Sequence, residues 1–300
     1  MTIQQLKYII KVAEIGSITE AAKTLFVSQP SLSNAIKEIE KEAGLTVFTR
    51  SRQGIALTKE GLEFLGYARN VVQQMELLED KYITSTSEKI RFAVSTQHYT
   101  FTANAFVEMI ERFGQDRYEF ILNETQTRQI MEDVKNRFSD LGVLFLSQEN
   151  EAVMRRELAE RNLVFHELFA AKPHAFMSVA HPLAARASVT LEDLKPYPRL
   201  NFIQGNFESS YWSEELFSSR ETDKHIRISD RGAIVNLMIG MNAYTISSGI
   251  FPRYLQDDEI IAVPVCEDEV MHIGYILNEA QELSELGAIY VEELLKYGKA

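Results

Sequence analysis

Apolar residues recur at intervals of three and four from the start of the chain. Leu6, Ile9, Ile10 and Ala13 line one side of a helix that Thr2 and Gln5 can cap reciprocally and that Gly16 ends. A shorter helix begins after Ser17, with Glu20 completing a capping pattern and Ala21, Ala22 and Leu25 facing inward. Phe26 and Val27 are expected to fill the connection. Ser28 then caps a third helix with Pro30 in its first turn, where a missing N–H costs nothing. Its inward stripe is Leu32, Ala35, Ile36 and Ile39, which leaves Gln29, Ser31, Ser33, Asn34 and Lys37 pointing out. Gly44 ends this helix, and two short strands, 45–50 and 55–58, flank the basic turn Ser51-Arg52-Gln53-Gly54.

A long helix follows from Thr58 to Tyr82. Phe64, Ala68, Val71, Met75, Leu78 and Tyr82 alternate by four and three, a heptad seam that fits pairing with a second copy; packing on its own domain is the other reading. Residues 84–88 form a polar hinge. Beyond it strand-like and helix-like runs alternate, which predicts a parallel α/β sheet. The expected strands are 90–95, 118–123, 140–146, 199–204, 225–229 and 243–247, with 163–169 and 174–179 as crossover strands. Helices are expected at 103–113, 128–137, 211–219, from about 232, and at 283–296, and the runs 260–265 and 271–277 should return to the first unit. The division implied is a head over 1–58, a linker helix and hinge over 59–88, and a two-lobed α/β domain over 89–300. Within it, lobe I covers about 89–165 and 267–300, and lobe II about 166–266.

The net charge of −12 changes this picture only when it is divided. Residues 1–60 carry about +2 and the remainder about −14, so the acidic excess lies outside the head. No run is long enough to span a bilayer and no signal-peptide pattern opens the chain, so a cytoplasmic protein is expected. The single cysteine, Cys266, follows an apolar run and is expected to be buried; it excludes an intramolecular disulfide and argues against a paired-cysteine redox sensor. His98, His166, His174, His181, His225 and His272 show no metal-ligand spacing, His181 falls in what reads as a surface turn, and P-loop and nucleophile-elbow motifs are lacking. No catalytic residue, metal site or cofactor is therefore expected.

Short amides and hydroxyls at a helix N-terminus, with one cation and a basic hairpin tip beside them, suit base edges and phosphates of double-stranded DNA. A plain solvated helix face has the same polarity. The residues Ala21-Ala22, Leu25, Ser28-Gln29-Pro30-Ser31-Leu32-Ser33, Ile36, Ile39-Glu40, Gly44-Leu45, Phe48, Arg50, Leu57-Thr58 and Gly61 resemble the N-terminal signature of LysR-type transcriptional regulators. Val47 departs from the leucine usual there, and Asn34 from the glutamine or arginine often found. The resemblance implies a winged helix-turn-helix reading DNA through Ser28, Gln29, Pro30, Ser31, Ser33, Asn34, Lys37, Arg50 and Arg52. It also implies a periplasmic-binding-protein-like effector domain, a dimer of dimers on interrupted palindromic promoter sites, and RNA polymerase as a partner.

In such two-lobed sheets ligands bind at the carboxyl ends of strands. Four stretches end there: Ser95-Thr96-Gln97-His98, Thr125-Gln126-Thr127, Ile203-Gln204 and Ser247-Ser248-Gly249. Each hydroxyl is equally a candidate helix cap. The resemblance makes Ser95, Thr96, Thr125 and Gln204 direct effector contacts, and so many hydroxyls and amides lead one to expect a small polar or anionic metabolite. The run from Ser229 to Gly249 bears a weak likeness to family branches tied to sulfur and amino-acid metabolism. The rival reading is a metabolite-binding or catalytic α/β protein with an appended DNA-binding head; a nucleoid-type architectural protein fits the acidic bulk less well.

Overall fold

The computed structural model describes residues 1–51, 54–82, 90–114, 117–205, 209–250 and 259–298. It divides into two compact units, Met1–Glu88 and Lys89–Ala300. The expected hinge at 84–88 lies outside the described residues.

The first unit is built from α1 (Ile3–Ile15), α2 (Ile18–Thr24), α3 (Gln29–Ala43), β1 (Phe48–Ser51), β2 (Gly54–Leu57) and α4 (Lys59–Tyr82). Thr2 and Gln5 close a capping box on α1, Ser17 and Ser28 cap α2 and α3, and Gly16 and Gly44 end α1 and α3 in the left-handed conformation. Ile9, Val12, Ala21, Leu32, Ile39 and Val47 are fully buried between these helices. The Glu40 carboxylate accepts the backbone N–H groups of Val47 and Phe48 at 2.8 and 3.2 Å, which fixes where the β1–β2 hairpin leaves α3.

Two expectations fail here. Phe26 does not fill the connection: it is 96% exposed and holds a left-handed backbone, φ 55°. The heptad seam of α4 is also divided. Ala68 is 3% exposed and packs with Leu65 and Val72 into the head's own core, with Phe64 half-buried against it. Val71 and Leu78 stay 46% and 48% exposed, and Met75 lies half-buried. The inward stripe and the seam share one edge of the helix, and in the structure that edge is packed into the head.

The second unit holds two mixed sheets. In the first, β4 (Tyr118–Glu124), β3 (Ile90–Thr96) and β5 (Leu141–Leu146) run parallel, and β12 (Met271–Asn278) lies antiparallel between β5 and β6 (Leu163–Ala171). In the second, β7 (His174–Ser178) is flanked antiparallel by β10 (Thr245–Ser247) and β11 (Ile260–Pro264); β8 (Arg199–Phe202) and β9 (His225–Ile228) pair in parallel and join through an Arg199–Tyr244 bridge. The sheets carry α5 (Thr100–Phe113), α6 (Thr127–Lys135), α7 (Glu151–Ala159), α8 (Leu191–Leu194), α9 (Arg231–Met241) and α10 (Glu285–Tyr297).

The alternation of elements was legible; the parallel sheet expected from it forms over β4, β3 and β5, and β12 enters it antiparallel. The strand over 260–264 pairs in the second sheet, and only β12 returns to the first. Because β6 pairs with β12 along its length, the first crossing between lobes falls at 172–173 rather than near 165. No helix forms over 211–219; a single 3-10 turn at Ser210–Trp212 is followed by turns, since this stretch carries Glu214 and Glu215 inward. Cys266 is exposed, because Val263 and Val265 take the inward positions of the alternating run. His181 is buried beside Tyr197, its Nε2 against the Asn242 carbonyl, and burial lowers its pKa. No described helix is long and apolar enough to cross a membrane.

Gly61 gives a direct check on the head. A Cβ there would fall 2.1 Å from the Val47 carbonyl oxygen, where the Thr58 hydroxyl already caps the Gly61 N–H. Gly61→Ala is expected to cost about 1–3 kcal/mol of head stability; chemical denaturation reads it, and an unchanged midpoint would refute the tight seating of α4.

Candidate functional site

On the head, the outward side of α3 is laid out as its pattern requires. Ser28, Gln29, Pro30, Ser31, Asn34 and Lys37 are exposed, and Ser33 is half-buried. The Ser28 hydroxyl accepts the Ser31 N–H at 3.2 Å and pairs with the Ser31 hydroxyl at 2.7 Å, so one cap serves the first turn. The remaining groups lie along a helix whose N-terminus carries partial positive charge. Arg50 sits in β1 next to the turn, with its side chain outside the described residues, as is Arg52 entirely.

Between the lobes of the second unit lies a buried polar junction. The Glu214 carboxylate, 3% exposed, accepts the His98 N–H at 2.8 Å and contacts His98 Nδ1 at 2.8 Å through one oxygen. Its other oxygen accepts Gln204 Nε2 at 2.7 Å. Gln204 Oε1 in turn accepts the Thr127 N–H at 3.0 Å, and the Thr127 hydroxyl donates to the Trp212 carbonyl at 2.8 Å. Gln97 completes the network from the first lobe, donating to the Thr127 hydroxyl and accepting from the Tyr99 hydroxyl and the Phe145 N–H. An ion pair between Glu124 and Arg231 also joins the lobes, and Arg128 lies 5.1 Å over the Trp212 ring.

Next to this junction opens a cavity of about 120 Å³. His98, Tyr99, Thr100 and Phe101 form its first-lobe wall, while Phe176, Phe202, Ile234, Met238 and Ile250 line the second. Its polar edge is made by Glu214, Glu215, Arg231, Thr245, Ser247 and Ser248. The His98 ring stacks on Phe202 at 3.9 Å. Tyr99 stands as N-cap of α5 and supplies no side-chain bond to its first turn. Thr245 Oγ1 and Arg231 Nε are buried without a hydrogen-bond partner.

Of the strand-end residues proposed from sequence, His98, Ser247 and Ser248 line this cavity. Gln97 and Gln204 build the junction beside it. Ser95 points elsewhere: its hydroxyl donates to Asp133 at 2.6 Å and pairs with Ser139 at 2.8 Å, all within lobe I. The Thr96 hydroxyl is buried against the Gln97 carbonyl, Thr125 gives its N–H to the Thr96 carbonyl, and Gln126 packs against Gly205. Sequence reasoning missed the apolar wall and Glu214-Glu215. The signal for the latter was present, an acidic pair set between Trp212 and Leu216-Phe217. Beside the hydroxyls of Thr100, Thr245, Ser247 and Ser248, the cavity carries an apolar wall from α9 and three phenylalanines that the strand ends alone do not announce.

Two family models divide the chain between them. Residues 3–62 match the bacterial regulatory helix-turn-helix protein, lysR family, and residues 85–297 match the LysR substrate binding domain. The chain belongs to the LysR family of transcriptional regulators. This LysR-type regulator is 31% identical over 218 residues to the uncharacterized HTH-type transcriptional regulator YvbU of Bacillus subtilis (strain 168), covering 70% of this chain and 69% of that protein. In fold it is similar to CbnR, a LysR family transcriptional regulator, with TM-score 0.68 and 18% identity over all of both chains. Full-length CbnR complexed with target DNA gives TM-score 0.63 at 17% identity over 99% of this chain and 100% of that one. The LysR regulator is thus a DNA-binding protein with an effector-binding domain, and not an enzyme.

Burial together with Glu214 pushes the Glu215 carboxyl up to about 7, although the Phe202 N–H and the Asn201 amide bond to it. The folded group thus keeps its proton to about 7 whereas the ordinary value is 4.5, so folded stability is lost as pH rises between them. The loss is on the order of 3 kcal/mol. Glu215→Gln is expected to remove that part of the pH dependence in urea unfolding from pH 5 to 8; parallel profiles for the two proteins would contradict it.

Proposed function

We propose that this regulator works in the cytoplasm as a dimer of dimers on interrupted palindromic promoter sites. A small-molecule effector in the cavity beside Glu214 controls it, and RNA polymerase is its partner at the promoter. The observation that carries this reading is the adjacency of the cavity to the Glu214 junction. A molecule held against His98 and Glu214 touches the same groups that hold the lobes together, so occupancy biases lobe closure. The effect on DNA then depends on differential binding to the two closure states.

For the head, the exposed side of α3 supports major-groove entry by Gln29, Ser31, Ser33 and Asn34, with Lys37 on phosphate. Ser28 and Pro30 start the helix at that depth, and Arg50 and Arg52 on the hairpin are proposed for phosphate or minor groove. For pairing of copies, Val71 and Leu78 on α4, with the neighbouring Tyr67, form the apolar stripe left after Ala68 is spent on the head.

DNA footprinting on the regulator's own promoter region tests the reading, with a protected, dyad-symmetric site as the expected result. Asn34→Ala should change which sequences bind. Arg52→Ala should weaken all sequences alike and lower the slope of log K against log salt by about 0.9 for each head bound. A promoter left unprotected by folded protein would overturn the reading, and an unchanged salt slope would remove Arg52 from the DNA contacts.

A further inference from the structure

The chemistry of the cavity specifies a class of effector different from the one its strand-end hydroxyls lead one to expect. We propose that the cavity takes an uncharged, ring-sized apolar molecule carrying one hydrogen-bond acceptor, seated with the ring among Phe101, Phe176, Phe202 and Met238 and the acceptor at Thr245 and Arg231. This rests on the cavity being the effector site, as proposed above.

Size and wall come first. The volume of about 120 Å³ is close to that of an engineered apolar cavity that admits benzene. Phe101, Phe176, Phe202, Ile234 and Met238 are each less than one-tenth exposed, so this part of the wall is a packed apolar surface. Placing a charged group against it costs several kcal/mol unless a partner is supplied.

The polar edge decides the rest. Thr245 is 7% exposed and its hydroxyl has no partner, and Arg231 Nε is buried and unpartnered as well. A buried donor left unmade is costly; Arg231 Nε can only donate and the Thr245 hydroxyl can donate as well, so an acceptor atom on the occupant suits both. A full negative charge is disfavoured, because Glu214 and Glu215 stand in the same lining and Glu124 already neutralises Arg231. A full positive charge gains little from those carboxylates. Glu214 is filled by His98 and Gln204, and Glu215 by Phe202 and Asn201. A carbonyl, ether or hydroxyl oxygen on an apolar ring meets every condition.

A matched series of one-ring probes tests this on the full chain: acetophenone, toluene, benzoate and benzylamine, titrated by thermal shift. Acetophenone is expected to bind roughly tenfold more tightly than toluene or either ion, the worth of one well-made buried hydrogen bond. Thr245→Val, which keeps the shape and removes the hydroxyl, should erase most of the advantage over toluene. Ser247→Trp and Val235→Phe, two separate ways of filling the cavity, should abolish binding of the whole series. Tightest binding by benzoate or benzylamine, or an acetophenone preference untouched by Thr245→Val, would overturn the inference while leaving the cavity as the site. No binding by any probe would overturn the inference, and binding that survives both filling variants would instead overturn the cavity as the site, and the inference with it.

Discussion

The buried Glu214 carboxylate ties the two lobes of the effector domain together, beside the Glu124–Arg231 ion pair. Glu214 receives an N–H and a ring nitrogen from His98 of one lobe and an amide from Gln204 of the other. A carboxylate taken out of water is tolerable only when its lone pairs are filled, and here each bond that fills them crosses, or leads to, the lobe boundary. Gln204 passes the constraint on to the first N–H of α6 through Thr127, and Thr127 passes it to the backbone of Trp212. The Trp212 ring packs among Ile130, Met131 and Leu144 of the first lobe, so apolar burial backs the polar chain. Removing one partner strands the others, because each group in the chain is satisfied by the next.

The cavity lies against this constraint rather than away from it. Its apolar wall and its unfilled donors share a border with His98 and Glu214, so what occupies the wall also bears on the junction. Glu215 adds a second buried carboxylate at the same edge, held by Asn201 and the Phe202 N–H. In the head the corresponding economy is on α4. One edge of the helix completes the core of the DNA-binding unit through Leu65, Ala68 and Val72, and what remains apolar outside is a narrower stripe than a heptad pattern implies.

Most of the head was legible because its signals are local. Caps at Thr2, Ser17 and Ser28, left-handed glycines at 16 and 44, and a helical apolar stripe each act over one or two turns. Phe26 was misread since nothing local distinguishes an aromatic residue filling a turn from one held out of it. In the effector domain the order of strands and helices was readable and their pairing was not. The sequence of β11 is an apolar run that suits either sheet, and only β7, far upstream, decides between them. The same holds for the site. Strand ends located the region, but Ser95 is turned to Asp133 and Ser139 by packing against α6, and the cavity wall comes from α9 and from phenylalanines on β7, β8 and the first turn of α5. Side-chain direction at a strand end is a tertiary property, and residue type alone does not carry it.

On the proposed function, the Glu214 junction governs closure of the lobes, and closure governs how the regulator lies on DNA. The most direct test is a footprint of the full chain and of Glu214→Ala on one DNA fragment, without added ligand, under conditions where both are folded by circular dichroism. The claim predicts the same recognised sequence in both with a changed extent or spacing of protection in the variant. Identical footprints from the two proteins would contradict it.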